Sequence, residues 1–383
     1  MRLKNCCKTA DFRKLAQARL PAPIFHYIDG GADDESTMRR NTEAFDSFDL
    51  IPNVLAGVDS VDLRTKVLGQ QLEMPLFFSP TAMQRLFHHE GERAIAAVAE
   101  KYGTMFGVST IGTRSIEELG ALNDAPKLFQ IYVHNDPALT SDLISRCKAA
   151  GFHALALTVD TIVAGNRERD ILTGMSTPPK LTPRSLLSFV MHPGWTLSYL
   201  ARERFDLPNV SAYIKEGSNV SSSVAAYIDS QMKRSIDWDD AAGMIEEWGG
   251  PFAIKGVMSV DDAKRSVDIG ASAIMISNHG GRQLDGSRAP FDQLPAIVDA
   301  VGGQIEIIVD GGIRRGTHVL KALAMGATAC SGGRMYLYAL AAAGTAGVER
   351  AMRLLRAEIE RDMLLMGCRS IAELDRSRLA ART

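Results

Sequence analysis

From residue 74 onward the chain alternates regularly between two kinds of segment, and this alternation limits its fold more than any other feature. Strand-like apolar runs fall at 74–82, 104–110, 127–133, 154–160, 252–257, 273–279, 305–312 and 328–334. Amphipathic segments at 90–102, 137–150, 259–269, 292–301 and 316–325 read as helices between them. Apolar strands that alternate with helices belong to a parallel sheet covered by helices. A count of eight points to a closed (β/α)8 TIM barrel rather than an open doubly wound sheet. No Gly-x-Gly-x-x-Gly follows the first run, which weakens a dinucleotide-binding reading. The 383 residues, 46% of them hydrophobic, suffice for one barrel with extensions. The expectation is a single domain over 1–383, with an N-terminal helical extension and a long insertion after the fourth strand.

In the extension, residues 11–20 read as a short helix closed by Pro21 and Pro23. The stretch from Phe25 to Glu35 then reads as an aromatic segment entering a glycine turn, with its acids favouring the start of the next helix. The insertion, residues 174–220, holds five prolines and many apolar and aromatic groups, interleaved with Arg184, Arg202 and Arg204. It shows neither a strand nor a long-helix pattern. Such a segment suits contact with a membrane surface, and equally an active-site lid or an oligomer contact.

Composition removes several function classes. A net charge of −2 argues against nucleic acid as a partner, since such proteins usually carry a basic excess. The five cysteines are odd in number, and adjacent Cys6 and Cys7 cannot form a usual zinc knuckle. Reduced thiols in a cytoplasmic protein are expected, with no metal site. No apolar region of a signal peptide follows the N-terminus, and no run of eighteen apolar residues is present. Any membrane contact is therefore expected to be peripheral, through 174–220.

A barrel places its reactive groups on the loops at the C-terminal ends of its strands. Those ends carry Pro80-Thr81-Ala82, Ser109, Gln130 with Tyr132, Thr158 with Asp160, Lys255, Ser277 with His279, Asp310, and Gly333-Arg334. The sixth end continues as Ser277-Asn278-His279-Gly280-Gly281-Arg282-Gln283-Leu284-Asp285. Here a general base, a fixed cation and two glycines open to a ligand sit on one loop. An isolated His-x-x-Arg is more often a surface loop; its place at a barrel strand's end makes it a candidate catalytic loop. The loops after strands seven and eight, Asp310-Gly311-Gly312-Ile313-Arg314-Arg315-Gly316 and Ser331-Gly332-Gly333-Arg334, pair glycine N–H groups with an arginine. In barrels this is where a phosphate commonly binds, and Arg314 and Arg334 would add bidentate contacts. Two ligands satisfy this pattern. One is a phosphorylated substrate, with Lys255 as a Schiff-base lysine. The other is a phosphate-bearing cofactor whose planar, isoalloxazine-like ring lies among Ser109, Gln130, Thr158 and Lys255.

These residues resemble those of the FMN-dependent L-2-hydroxy-acid oxidising family, which includes glycolate oxidase, lactate oxidase, L-lactate dehydrogenase and mandelate dehydrogenase. The likeness runs from Tyr27-Ile28-Asp29-Gly30-Gly31-Ala32 to Gly367-Cys368-Arg369-Ser370, and rests chiefly on Ser277–Asp285. Phe129–Val133, Leu157–Asp160 and Asp310–Gly316 support it. The resemblance implies FMN as cofactor and a small 2-hydroxy acid, L-lactate first, as substrate. It implies His279 as the base, with Asp160 stabilising its imidazolium. It implies that Arg282, Tyr27 and Arg167 hold the substrate carboxylate and that Tyr132 meets the hydroxyl. Pro80, Thr81, Ala82, Ser109, Gln130, Thr158, Lys255 and Ser277 would surround the flavin ring. Asp310, Gly311, Gly312, Arg314, Gly333 and Arg334 would hold its ribityl phosphate. The long insertion is similar to that of membrane-associated bacterial L-lactate dehydrogenases, whereas Pro80-Thr81-Ala82 is closer to glycolate oxidase. Quinone, cytochrome and oxygen thus all stand as acceptors. The resemblance also implies a homo-oligomer, commonly a tetramer.

Overall fold

Each of the eight apolar runs forms a strand of one closed parallel barrel in the computed structural model, which describes residues 1–175, 181–213 and 232–382. We label the barrel strands β1 (Leu76–Thr81), β2 (Phe106–Ser109), β3 (Lys127–Ile131), β4 (Ala154–Thr158), β5 (Phe252–Val257), β6 (Ala273–Ile276), β7 (Glu306–Asp310) and β8 (Ala329–Gly332). They pair in chain order, and β8 closes on β1 through Cys330 opposite Leu76 and Ser331 opposite Phe77. All but β5 are shorter than their apolar runs. The run at 273–279, for instance, leaves the sheet after Ile276, so that Ser277 to His279 belong to the rim.

Alternation along the strands divides the core in two. Phe77, Met105, Leu128, Ala156, Met275 and Ile308 point into the barrel, where they are completely shielded. Phe78, Phe106, Phe129, Phe252 and Val309 point outward under the helices. Full burial stabilises each large apolar side chain by about 1.5–3 kcal/mol. The barrel's floor is plugged by a hairpin that sequence reading did not identify, Thr65–Val67 with Gln70–Leu72. Its two turn residues, Leu68 and Gly69, both take positive φ, as a tight hairpin requires. Val67, Leu68 and Leu72 fill the bottom of the barrel, and Leu68 N–H donates to the Glu306 carboxylate at 2.7 Å.

The N-terminal extension differs from expectation in one instructive way. The first helix, Thr9–Gln17, stands close to its expected place. Pro21 and Pro23, however, do not simply close it: they open a second helix, Ala22–Asp29, with Pro23 in its first turn. Proline is well suited there, because N–H groups of the first turn have no intrahelical acceptor. The following helix, Ser36–Glu43, takes its N-terminal anion from far away. Asp285, at the end of the candidate catalytic loop, accepts from Thr37 N at 2.7 Å and Ser36 N at 3.2 Å. The local acids are used otherwise, Glu35 accepting from Gly31 N at 2.9 Å and pairing with Arg169.

Asp29 ties this extension to the barrel. It is 3% exposed and receives Arg13 at 2.5 Å, Arg169 at 2.8 Å and the Tyr338 hydroxyl at 2.7 Å. Burial alone would raise its pKa, but the bonds from Arg13, Tyr338 and Arg169 outweigh it and hold the carboxyl at about 2. A folded-state pKa below the unfolded one means stability that is present above about pH 4 and lost as pH falls towards 2. The shift corresponds to about 2–3 kcal/mol. Asp29→Asn is therefore expected to lower the urea midpoint at pH 7 and to flatten its fall between pH 4 and 2; a wild-type acid limb in the variant would contradict this.

Within the insertion, 176–180 and 214–220 lie outside the described residues. The remainder contains two short helices, Pro183–Met191 and Pro193–Leu200, where neither a strand nor a long helix was expected. Each begins with proline in its first turn, and Thr182 caps the first by accepting from Ser185 N at 3.1 Å. Trp195 anchors the second through its indole N–H, which donates to Leu86 O at 2.8 Å. Leu186, Leu187, Val190, Met191, Leu197 and Leu200 are each more than half exposed. Among the described residues no helix is long and apolar enough to cross a membrane.

Candidate active site

Strand register brings the expected polar groups to one rim. Ser109 lies opposite Gln130, Thr158 opposite Lys255, and Asp310 opposite Ser331. Above them opens a cavity of about 620 Å³. Its lining includes fifteen of the expected site residues: Tyr27, Pro80, Thr81, Ala82, Tyr132, Arg167, Lys255, His279, Arg282, Asp310, Gly311, Gly312, Arg314, Gly333 and Arg334. Ser109, Gln130, Thr158, Asp160 and Ser277 stand at the strand ends outside this lining, with Ser109 bonded to Gln130, Asp160 to His279 and Ser277 to Lys255.

His279 takes a positive φ of 58°, uncommon for a residue with a Cβ. Its backbone N–H donates to Ser277 Oγ at 3.1 Å, and Gly280 and Gly281 continue the left-handed path. This geometry turns the imidazole so that Nδ1 lies 3.0 Å from Asp160 Oδ1. A carboxylate can only accept, so Nδ1 carries the proton and Nε2 is left as the acceptor. Asp160 is itself held in place. Gln283 Nε2 donates to Asp160 O at 2.9 Å and Val163 O at 2.8 Å, while its Oε1 accepts from Gly165 N at 3.0 Å. Gly256, φ 112°, lets Asp160 come close: a Cβ there would meet Asp160 Cβ at 2.8 Å.

Arg282 is brought beside this pair by the same loop. Its Nη1 donates to Tyr27 O at 2.7 Å and Gly30 O at 3.1 Å, and its guanidinium lies 5.1 Å from the Tyr27 ring centre. Arg167 approaches the same ring at 5.3 Å and reaches Asp170 at 3.3 Å. Burial, then the neighbouring Arg167, pulls Arg282 down to about 10, which leaves it charged at neutral pH. Among the described residues Arg282 makes no ion pair. A buried cation without a carboxylate partner is costly unless an anion joins it. Tyr132 lines the same space, where burial and then Asp160 push its phenol up, so it stays protonated and can donate.

Lys255, Ser277, Asp310 and Ser331 form a second, fully buried network. Lys255 Nζ lies 2.6 Å from Asp310 Oδ2 and donates to Ser277 Oγ at 3.1 Å. Ser277 and Ser331 donate to the two Asp310 oxygens at 2.8 and 2.7 Å. Burial works against the Lys255 ammonium, but Asp310 and Asp160 outweigh it and raise its pKa above the ordinary value. A Schiff-base lysine needs the opposite, a neutral amine, so this environment disfavours the aldolase reading.

At the far end, Gly311 (φ 116°) has open space where a Cβ would be, which leaves its backbone accessible from the cavity. Gly312 is required for packing, since a Cβ there would lie 2.0 Å from Asn41 O. Arg314 donates to Ile313 O at 2.8 Å. Arg334 is more heavily engaged than the sequence suggested. It donates to Ile28 O, Gly280 O and Gly30 O at 2.7–2.9 Å, tying the extension to the catalytic loop as well as lining the cavity. Burial lowers the pKa of both arginines, and neither makes an ion pair among the described residues.

The ring region offers unused hydrogen-bonding groups. Ser109 Oγ donates to Gln130 Oε1 at 3.1 Å, yet Gln130 Nε2 and Thr158 Oγ1 are buried with no protein partner. Orphaned buried groups of this kind mark a place where a polar ligand belongs. They suit the edge of a flavin, as the uncompensated Arg314 and Arg334 suit its phosphate. Thr81 faces the other way, its Oγ1 lying 2.6 Å from the Tyr336 hydroxyl.

Sequence reading missed the role of one residue and left that of a segment open. Gln283, quoted within the catalytic loop, braces Asp160; an amide between Arg282 and Leu284 was its only signal. Leu186, Phe189, Trp195, Tyr199, Leu200 and Phe205 of the insertion form a wall of the cavity, in line with the lid among its expected roles, though which residues do so depends on tertiary packing.

Comparison with known proteins agrees with this geometry. The sequence profile described as FMN-dependent dehydrogenase matches residues 16–381. L-lactate dehydrogenase of Vibrio parahaemolyticus is 39% identical over 372 residues, which is 97% of this chain and 98% of that one. L-lactate dehydrogenase of Allorhizobium ampelinum is 41% identical over 367 residues, 96% of each chain. Among solved structures, the monotopic membrane protein (S)-mandelate dehydrogenase superposes with a TM-score of 0.94 at 33% identity, covering 99% of this chain and 100% of that one. With a closed eight-stranded barrel, an anion-seeking cavity at its C-terminal rim and full-length relatives of this kind, the chain belongs to the FMN-dependent dehydrogenase family, whose members oxidise 2-hydroxy acids.

Proposed function

We propose that this chain oxidises L-lactate to the 2-oxo acid and passes the electrons to a quinone while resting on a membrane surface. One observation carries the substrate class: Arg282, a cavity-lining arginine without an anionic partner among the described residues, shares a loop with His279 of the half-buried His279–Asp160 pair. A 2-hydroxy acid supplies both missing groups, a carboxylate for the cation and a hydroxyl proton for the base. The two L-lactate dehydrogenase relatives support lactate as the first choice. The membrane-associated structural relative and the exposed leucines of the insertion support the surface.

In this reading bound FMN supplies the two-electron sink. Gln130, Thr158, Ser109 and Ser277, with the backbone of Pro80, Thr81 and Ala82, hold its ring. Lys255 sets a fixed positive charge beside that ring, favouring added negative charge there. Gly311, Gly312, Gly333, Arg314 and Arg334 hold the phosphate. Asp310, an anion already engaged by Lys255 and two serines, suits a ribityl hydroxyl better than the phosphate. Arg282, with Tyr27 and Arg167, fixes the substrate carboxylate, and Tyr132 donates to its hydroxyl oxygen. His279 Nε2 takes the hydroxyl proton, and Asp160 stabilises the imidazolium that results.

The purified protein is expected to be yellow and to bleach anaerobically with L-lactate. Bleaching by L-mandelate or glycolate alone would reassign the substrate, and bleaching by none of the three would overturn the activity. Reoxidation faster in air than with a quinone analogue would replace the quinone by oxygen.

A further inference from the structure

A second cavity, of about 500 Å³, lies directly behind one wall of the active-site cavity. Four aromatic side chains, Phe87, Trp195, Tyr199 and Phe205, line both spaces, so one layer of rings separates them. Phe87 stacks on Tyr27 of the carboxylate site at 6.2 Å, and Trp195 stacks on Tyr199 at 5.0 Å and 10°. The other side of the second cavity is cationic and rich in donors: Arg19, Arg85, Arg202, His88, His89 and Ser198. The Arg85 side chain is 8% exposed, and its Nε–H has no protein partner. Glu203, the acid in the lining, pairs with Arg114 at 2.8 Å and more loosely with Arg85 at 3.8 Å, while Arg19 and Arg202 make no ion pair among the described residues. The mouth adjoins the insertion's apolar face, since Met191, which is 70% exposed, belongs to the lining.

Resting on the reading above, we propose that this second cavity is where the quinone acceptor binds. Each feature answers a need of that chemistry. The aromatic layer gives a planar ring a stacking surface and brings it within one side chain of the flavin cavity. The donors of Arg85 and its neighbours suit carbonyl oxygens, and the unpaired Arg19 and Arg202 stabilise the negative charge that builds on those oxygens as electrons arrive. The apolar mouth admits a ligand dissolved in lipid. The redox balance closes without another reactant: the 2-hydroxy acid loses two electrons and two protons to become the 2-oxo acid. The quinone gains two electrons across the wall and two protons from water at the mouth to become the quinol.

The test uses FMN-loaded protein, with ubiquinone-1 as probe. Calorimetry measures its binding to the oxidised protein, and stopped-flow absorbance follows reoxidation of dithionite-reduced protein, so neither step requires lactate as substrate. Ser198→Trp fills the second cavity and Arg202→Ala removes one of its cations without added bulk. Each is expected to weaken binding and slow reoxidation by about tenfold or more, equivalent to about 1.4 kcal/mol. Reduction by the substrate should remain at the wild-type rate. Unchanged binding and reoxidation in both variants would overturn the site while leaving quinone as acceptor. No saturable binding to the wild type, with rapid reoxidation in air, would overturn the acceptor as well. Binding of phosphatidylglycerol vesicles or inorganic phosphate that Arg202→Ala weakens, without any ubiquinone-1 binding, would reassign the cavity to a phosphate group and overturn the proposal.

Discussion

Replacing His279 with Gln is expected to slow anaerobic bleaching of the bound flavin by L-lactate by on the order of 10³-fold, within the usual range for loss of a general base. FMN itself should stay bound, because the contacts assigned to it come from other residues. Glutamine retains an amide that can hydrogen-bond near Asp160, but it cannot accept a proton at neutral pH. The loss should therefore fall on the reduction step, with lactate binding weakened far less. Asp160→Asn provides a graded comparison, since it removes the carboxylate that stabilises the imidazolium while leaving the base present. Bleaching by His279→Gln at the wild-type rate would remove His279 from the role of base and would turn attention to Tyr132.

The second large effect is expected at Arg282. Arg282→Met should lower kcat/KM for lactate by roughly 30- to 5000-fold, the equivalent of about 2–5 kcal/mol for a buried charged pair. Arg282→Lys should recover only part of this, because an ammonium cannot reproduce the guanidinium's fork or its position over the Tyr27 ring. The same Arg282 also donates to Tyr27 O and Gly30 O, so some loss of thermal stability is expected in both variants. Inhibition by oxalate separates the two effects: a folded Arg282→Met protein should bind this dicarboxylate far more weakly. Wild-type oxalate affinity would mean that the carboxylate binds elsewhere, with Arg167 the next candidate.

The barrel and most of its rim were legible in the sequence for a simple reason. Strands buried on both faces write themselves as apolar runs, and the fold then dictates which end carries chemistry. His279 and Arg282 were legible because one loop brings them together. What escaped notice depended on partners distant in the chain. Asp285 caps the helix at Ser36 across some 250 positions of sequence, so local acids misled the reading. Pro21 and Pro23 looked like terminators because proline both ends and begins helices, and only packing decides between them. Arg334 looked like a dedicated phosphate ligand, and its bonds to Ile28, Gly30 and Gly280 could not be anticipated without coordinates. The insertion showed its composition but not its fold, since two helices of nine and eight residues are too short for periodicity to stand out.

The hairpin at 65–72 has a kinetic consequence. Side chains packed inside the barrel, with Val67, Leu68 and Leu72 of the hairpin beneath them, leave no route along its axis, so exchange with solvent is confined to its upper rim. Fresh hydroxy acid and spent oxo acid must then queue for the same doorway. Turnover becomes sensitive to how quickly the used molecule departs, and accumulating product should compete with its own precursor for entry.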